Sequence, residues 1–133
     1  MKICMIGAGY VGLVSGACFA DLGNTVWCAD KDKKKILQLN NNKIPIYEPG
    51  LKDLINKNYS AGRLKFTTNL SLAIKNSDII FICVGTPTSK KSGAADLKYV
   101  FKVADELSHC ISKFKIIVTK STVPVTTGDK IEK

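Results

Sequence analysis

Two rhythms of apolar and polar residues alternate along the chain. Lys2–Ile6, Thr25–Ala29, Leu64–Thr67, Asp78–Val84 and Lys115–Thr119 are short runs rich in β-branched and other apolar residues, of the length and kind that form strands. Asp78–Val84 is apolar without interruption after its first residue, which predicts a central strand covered on both faces. Helical spacing fills the intervals. Tyr10 to Leu22 reads as a helix stopped at Gly23, and Lys31–Asn40 carries Ile36, Leu37 and Leu39 among lysines. Leu51–Tyr59 is a further short helix, and Asn69 or Ser71 is placed to cap another that runs through Ile74. Asp96 precedes a longer helix from Leu97 to about Ile111, with Val100, Val103, Ala104 and Leu107 on one face. A last helix begins near Thr127 and runs to Lys133. Pro45 and Pro49 make Ile44–Gly50 a loop, and Ser89–Ala95 is a second.

Strand and helix alternating to the end of the chain predict an α/β fold, with a parallel sheet and helices on both faces. The first interval is the most informative. Gly7-Ala8-Gly9-Tyr10-Val11-Gly12 matches G-x-G-x-x-G directly after a strand and at the mouth of a helix. Gly7 allows the tight turn, Gly9 lacks the Cβ that would block a diphosphate, and Gly12 lets helix and strand approach closely. The first N–H groups of the helix then face the anion. Asp30 closes the second strand eighteen residues after Gly12, where a carboxylate accepts hydrogen bonds from the hydroxyls of an adenosine ribose. The same residue also suits a helix N-cap. A carboxylate at that point favours NAD over NADP, although neighbouring lysines, Lys35 above all, soften the exclusion of a 2′-phosphate. Together these features predict a Rossmann-type doubly wound sheet of about five or six strands. The loops Val84–Thr88 and Lys120–Val125 follow the fourth and fifth strands, so they should flank the ribose and nicotinamide of a bound dinucleotide.

Composition narrows the function classes. At 133 residues and 45% hydrophobic, the chain is sized for one domain with a real core, and nothing in it is collagen-like, coiled-coil or low-complexity. The five cysteines, Cys4, Cys18, Cys28, Cys83 and Cys110, are odd in number and never in C-x-x-C spacing. They read as reduced, buried thiols, and single His109 as a surface histidine, so no metal is expected. The net charge of +9 comes from lysines spread along the chain, with Arg63 the sole arginine. That pattern suits a solvated surface attractive to anionic nucleotides better than a nucleic-acid interface. The eighteen uncharged residues from Ile3 to Ala20 resemble a leader or membrane span, but Gly7, Gly9, Gly12 and Gly16 interrupt them, and a cytoplasmic protein is expected. No Ser-His-Asp set or supported Cys-His pair is present, so no catalytic residue is assigned.

Five segments taken in order carry a resemblance: G-A-G-Y-V-G from Gly7 to Gly12, I-P-I-Y-E-P-G-L from Ile44 to Leu51, Gly62-Arg63-Leu64, V-G-T-P-T from Val84 to Thr88 and K-S-T-V-P-V from Lys120 to Val125. Over its whole length the chain resembles the amino-terminal NAD-binding domain of the UDP-glucose/GDP-mannose dehydrogenases. The resemblance implies oxidation of the 6-hydroxymethyl group of a nucleotide sugar to a carboxylate with two NAD⁺, through a thiohemiacetal and a thioester on a catalytic cysteine. It further implies that Val11, Asp30, Lys35, Thr86 and Thr122 contact NAD, Thr122 also lying near the reacting centre. None of the five cysteines stands in the family's cysteine motif. The expectation is therefore a Rossmann domain over residues 1–133, truncated at its C-terminal end, without the substrate and dimerisation domains. Such a chain binds NAD, meets a UDP-sugar only with the missing C-terminal region, and associates with a separately encoded C-terminal half or with itself. A non-catalytic nucleotide-binding module on the same fold is the alternative. Thr126-Thr127 stands where family members often have Gly-Thr, a departure expected to be tolerated.

Overall fold

A computed structural model describes residues 1–89 and 93–132. The strands are β1 (Lys2–Ile6), β2 (Thr25–Ala29), β3 (Leu64–Thr67), β4 (Ile79–Ile82) and β5 (Ile116–Thr119). The helices are α1 (Tyr10–Asp21), α2 (Lys33–Asn40), α3 (Leu51–Ser60), α4 (Leu70–Lys75), α5 (Lys98–Cys110) and α6 (Thr127–Glu132). The five strands form one parallel sheet in the order β3-β2-β1-β4-β5. The chain starts in the middle of the sheet, steps outward to β3, then crosses back to lay β4 on the free side of β1. Its direction of travel therefore reverses between β1 and β4, which opens a crevice at their carboxyl ends.

Alternate residues of the central strands serve opposite layers. Ile3 and Met5 of β1 join Val26, Cys28, Leu13, Ala17 and Ile55 in a core beneath α1 and α3. Cys4 and Ile6 face the other way, with Ile80, Ile82, Ile74, Val103 and Leu107 beneath α4 and α5. Burial on both faces explains why these strands read as continuous apolar runs. Ala104, expected on the inner face of α5, is only partly buried, while Val100, Val103 and Leu107 are buried.

The first three strands have the predicted limits, and β4 is shorter than 78–84. Apolar character persists past Ile82 because Cys83 is still buried, with its carbonyl under the Gly7 turn. The helix after β2 begins at Lys33 rather than Lys31. Asp32 caps it, accepting hydrogen bonds from the Lys34 and Lys35 amides at 2.9 and 3.1 Å, which leaves Asp30 free of that duty. Asn69, not Ser71, caps α4 through the Leu72 amide. Asp96 accepts from the Lys98 amide at 3.0 Å at the start of α5. Residues 90–92 of the loop predicted over Ser89–Ala95, and the last residue of the final helix, lie outside the described residues. The uncharged run Ile3–Ala20 is split by the Gly7–Gly9 turn into β1 and most of α1, and no helix among the described residues is long and apolar enough to cross a membrane. Cys4, Cys28 and Cys83 are buried, whereas Cys18 is exposed on the outer side of α1 and Cys110 is partly exposed. For Cys18 the expectation of a buried thiol fails, because its helix turns that position away from the sheet.

Candidate functional site

The crevice at the strand ends encloses about 380 Å³. Gly7 and Gly9 form its floor, Asp30, Lys31 and Lys35 one wall, and Val84, Gly85 and Pro87 another. Tyr99, Lys102 and Glu106 of α5 rise on the far side. Its size falls within the range of small-molecule and cofactor sites.

The glycines do different work. Gly7 sits at φ +104°, with its amide on the Ala29 carbonyl at 2.8 Å. A Cβ there would lie 2.8 Å from the Cys83 carbonyl oxygen, so only glycine turns the chain between β2 and β4. A Cβ on Gly12 would come within 1.8 Å of the Gly7 oxygen, so the first turn of α1 is pressed onto the turn itself. Gly16, one turn on, adds a second close approach of helix to sheet, since a Cβ there would meet Cys28 Sγ at 2.8 Å. Gly9 differs from all three: nothing lies within 4 Å of its Cβ position, and it opens into the crevice. Gly9 is also the N-cap of α1 and supplies no side-chain cap, so the amides of the first turn, including those of Tyr10 and Val11, are left for an external acceptor. A bare floor beside uncapped helix amides fits a diphosphate.

Asp30 ends β2 in the wall of the crevice, with its side chain 11% exposed. Its Oδ2 accepts from the Ala8 amide at 2.9 Å and from Lys35 Nζ at 2.8 Å, and its Oδ1 accepts from the Asp32 amide at 2.9 Å. Burial alone raises its pKa. The Lys35 ammonium and the two amides outweigh burial and hold the carboxyl below the usual carboxylate range, so it is ionised at neutral pH. An ionised carboxylate facing the floor glycines is what a ribose diol requires.

Thr86 and Thr122 are not among the residues lining the crevice. Thr86 is half-buried in the β4 loop and Thr122 is exposed in the β5 loop. The two loops are fastened together, since Ser121 Oγ donates to the Val84 carbonyl at 2.7 Å and the Lys120 amide to that of Ile82 at 2.9 Å. Val11 and Tyr10 point outward, and the Tyr10 hydroxyl donates to Glu48, tying the I-P-I-Y-E-P-G-L loop to the start of α1. Separated by 38 positions, that pair left no local signal in the sequence.

The thiols buried in the core are not activated. Burial pushes Cys4 up to about 12 and Cys83 up to about 11, and raises Cys28 as well. A thiol in an apolar core at neutral pH is protonated and a poor nucleophile. The crevice offers a cradle for a dinucleotide.

Comparison with known proteins supports the geometry. A UDP-glucose 6-dehydrogenase of Rhizobium meliloti is 55% identical over 133 residues, covering 100% of this chain and 30% of that protein. The UDP-glucose 6-dehydrogenase TuaD of Bacillus subtilis is 55% identical over 131 residues, which are 98% of this chain and 28% of that one. Among solved structures, a ternary complex of GDP-mannose dehydrogenase from Pseudomonas aeruginosa superposes with a TM-score of 0.94 at 39% identity, covering 98% of this chain and 30% of that one. The chain thus spans about 30% of the length of the relatives it matches. The model for the UDP-glucose/GDP-mannose dehydrogenase family, NAD binding domain, matches residues 1–133, and the chain belongs to that family as its NAD-binding domain.

Proposed function

We propose that NAD lies across the carboxyl ends of β2, β1 and β4, with its diphosphate on Gly9 and the amides of Tyr10 and Val11. The adenosine ribose hydroxyls then meet Asp30 and Lys35, while Thr86 and Thr122 stand toward the nicotinamide. One observation carries this reading: the open Cβ position of Gly9 and the ionised Asp30 line the same crevice. Gly7 and Gly12 contribute by shaping the turn.

Joined to the rest of the length its relatives have, the domain serves a cytoplasmic dehydrogenase that oxidises the 6-hydroxymethyl group of a UDP-sugar to a carboxylate. NAD, when bound, accepts hydride. The residues described above bind and orient it. In this reading the nucleophile and the sugar-binding groups come from outside residues 1–133: none of the five cysteines stands in the family's cysteine motif, and Cys83, the thiol that lines the crevice, has its pKa raised by burial. A UDP-sugar is therefore a ligand of the larger assembly. The partner of this domain is that remaining region, covalently continuous or supplied as a second chain.

Calorimetry with NAD, combined with NADH formation from UDP-glucose, tests both halves of the reading. The chain alone should bind NAD and produce no NADH, and addition of the C-terminal remainder of the Rhizobium meliloti relative should give turnover. Failure to bind NAD would refute the site, and robust turnover by the chain alone would refute the external nucleophile.

A further inference from the structure

The hydrogen bond from the Tyr10 hydroxyl to the Glu48 carboxylate joins two segments 38 positions apart, and one of them opens the helix whose first amides are free. Tyr10 is the first residue of α1. Gly9 before it caps the helix without a side-chain bond and has open space at its Cβ position, so the backbone on that side is free to shift, and the first amides with it. Glu48, by contrast, stands on a fixed base. Ile44 and Ile46 on one side of it pack against the core beneath α1, and Leu51 on the other is buried in that core. The Glu48 carbonyl accepts from the Leu51 amide at 3.1 Å, and Pro45 and Pro49 stiffen the loop between. The bond to Glu48 raises the pKa of Tyr10, so its hydroxyl keeps its proton at neutral pH and remains the donor. The pair lies near solvent, with Tyr10 53% exposed, so its effect on overall stability is small and its consequence is geometric.

We propose that Tyr10 and Glu48 are a positioning pair: the I-P-I-Y-E-P-G-L loop is a strut that holds the first turn of α1, and so the Tyr10 and Val11 amides, in the arrangement a diphosphate needs. The inference rests on the NAD reading above and gives this loop a task within it. Neither Tyr10 nor Glu48 lines the crevice, so the pair acts through the backbone and not by touching the ligand. An anion held by several amides at once binds more weakly when the ligand, rather than the protein, has to order them. Glu48 does that ordering in advance, from a loop whose two shoulders are packed into the core.

The experiment titrates the unmodified chain, Tyr10→Phe, Glu48→Gln, Glu48→Ala and Tyr10→Phe/Glu48→Ala with NAD, ADP and adenosine, and records the urea midpoint of each. Calorimetry reads the two nucleotides, and ligand-observed nuclear magnetic resonance reads adenosine, which lacks the diphosphate. Tyr10→Phe should weaken NAD and ADP alike, by about 3- to 10-fold, the cost of ordering a freed group on binding, and leave adenosine within about twofold. Glu48→Ala should match it. The double variant should lose no more than either single one, since both remove the same bond. Glu48→Gln retains an acceptor oxygen and should recover most of the loss. A role in folding alone would lower the urea midpoint and weaken all three ligands in proportion, leaving the ratio of ADP to adenosine affinity unchanged. An unchanged ratio in Tyr10→Phe and Glu48→Ala, or losses that add in the double variant, would overturn the inference and leave the NAD reading standing. Failure of the unmodified chain to bind NAD or ADP would overturn both.

Discussion

The ends of β1 and β2 and the ends of β4 and β5 lie along the same edge of one parallel sheet but are built to different degrees. At the first pair the turn and the carboxylate are tightly bonded: the Gly7 amide lies on the Ala29 carbonyl, and Ala8, Asp32 and Lys35 all converge on Asp30. At the second pair the loops are fastened to each other through Ser121, yet Thr122 and Val125 are exposed and neither threonine of interest lines the crevice. The same asymmetry extends to packing, since β1 is buried on both faces whereas Ile116 of β5 is 48% exposed and Phe114 just before it 88%. In the proposed reading of the site, the adenosine side is thus the tightly bonded half and the nicotinamide side a looser, more exposed rim.

The largest expected effect belongs to the built half. Gly12→Ala places a Cβ 1.8 Å from the Gly7 oxygen, and the helix must shift. A loss of about 3 kcal/mol in urea unfolding is expected, the upper end for overpacking. An unchanged midpoint would mean that the turn and α1 are not pressed together as described. Next, Asp30→Ala should weaken NAD binding about 10- to 100-fold, the worth of hydrogen bonds to a charged group. Affinity within twofold of the original would remove the carboxylate from the ribose site.

Acid acts on the same residue. The pKa of Asp30 is lowered by folding, so its contribution to stability is present above the unfolded value of about 3.9 and is lost as pH falls through the lower, folded value. The thermal midpoint should therefore drop below about pH 4, and Asp30→Asn should flatten that part of the profile. A variant with the same acid profile as the original would show that the Lys35 and amide bonds do not stabilise the fold.

The open half should respond weakly or improve. Thr126 occupies the left-handed region at φ +74°, a conformation that a β-branched residue resists. Threonine is thus held there with strain, and Thr126→Gly should raise stability by about 1 kcal/mol. Thr86→Val and Thr122→Val should leave NAD affinity of this chain within about twofold, because a hydroxyl that gains no bond on binding contributes little. A tenfold loss in either would move the nicotinamide contacts into this chain and erase the asymmetry.

How much of this was legible in the sequence followed from the range of the interactions. The limits of β1, β2 and β3 and the glycine turn were plain, because burial on two faces and a Cβ-free turn each restrict residue type locally. Asp30 was legible as a carboxylate at the end of the second strand, but whether it capped the next helix was not resolved until Asp32 was seen to hold the α2 amides. Lys35, Thr86 and Thr122 rested on resemblance alone, and only Lys35 proved to line the crevice. Gly16, the Tyr10–Glu48 tie and the Ser121 anchor escaped notice because each depends on a partner distant in sequence. Side-chain chemistry does not announce such partners.

The division of the site into a tightly bonded and a looser half is tested most directly by titrating the chain with NAD, ADP-ribose and nicotinamide mononucleotide. The account predicts that ADP-ribose binds within about twofold of NAD, since a group without partners adds little, and that the mononucleotide does not bind measurably. NAD binding tenfold or more tighter than ADP-ribose would contradict it.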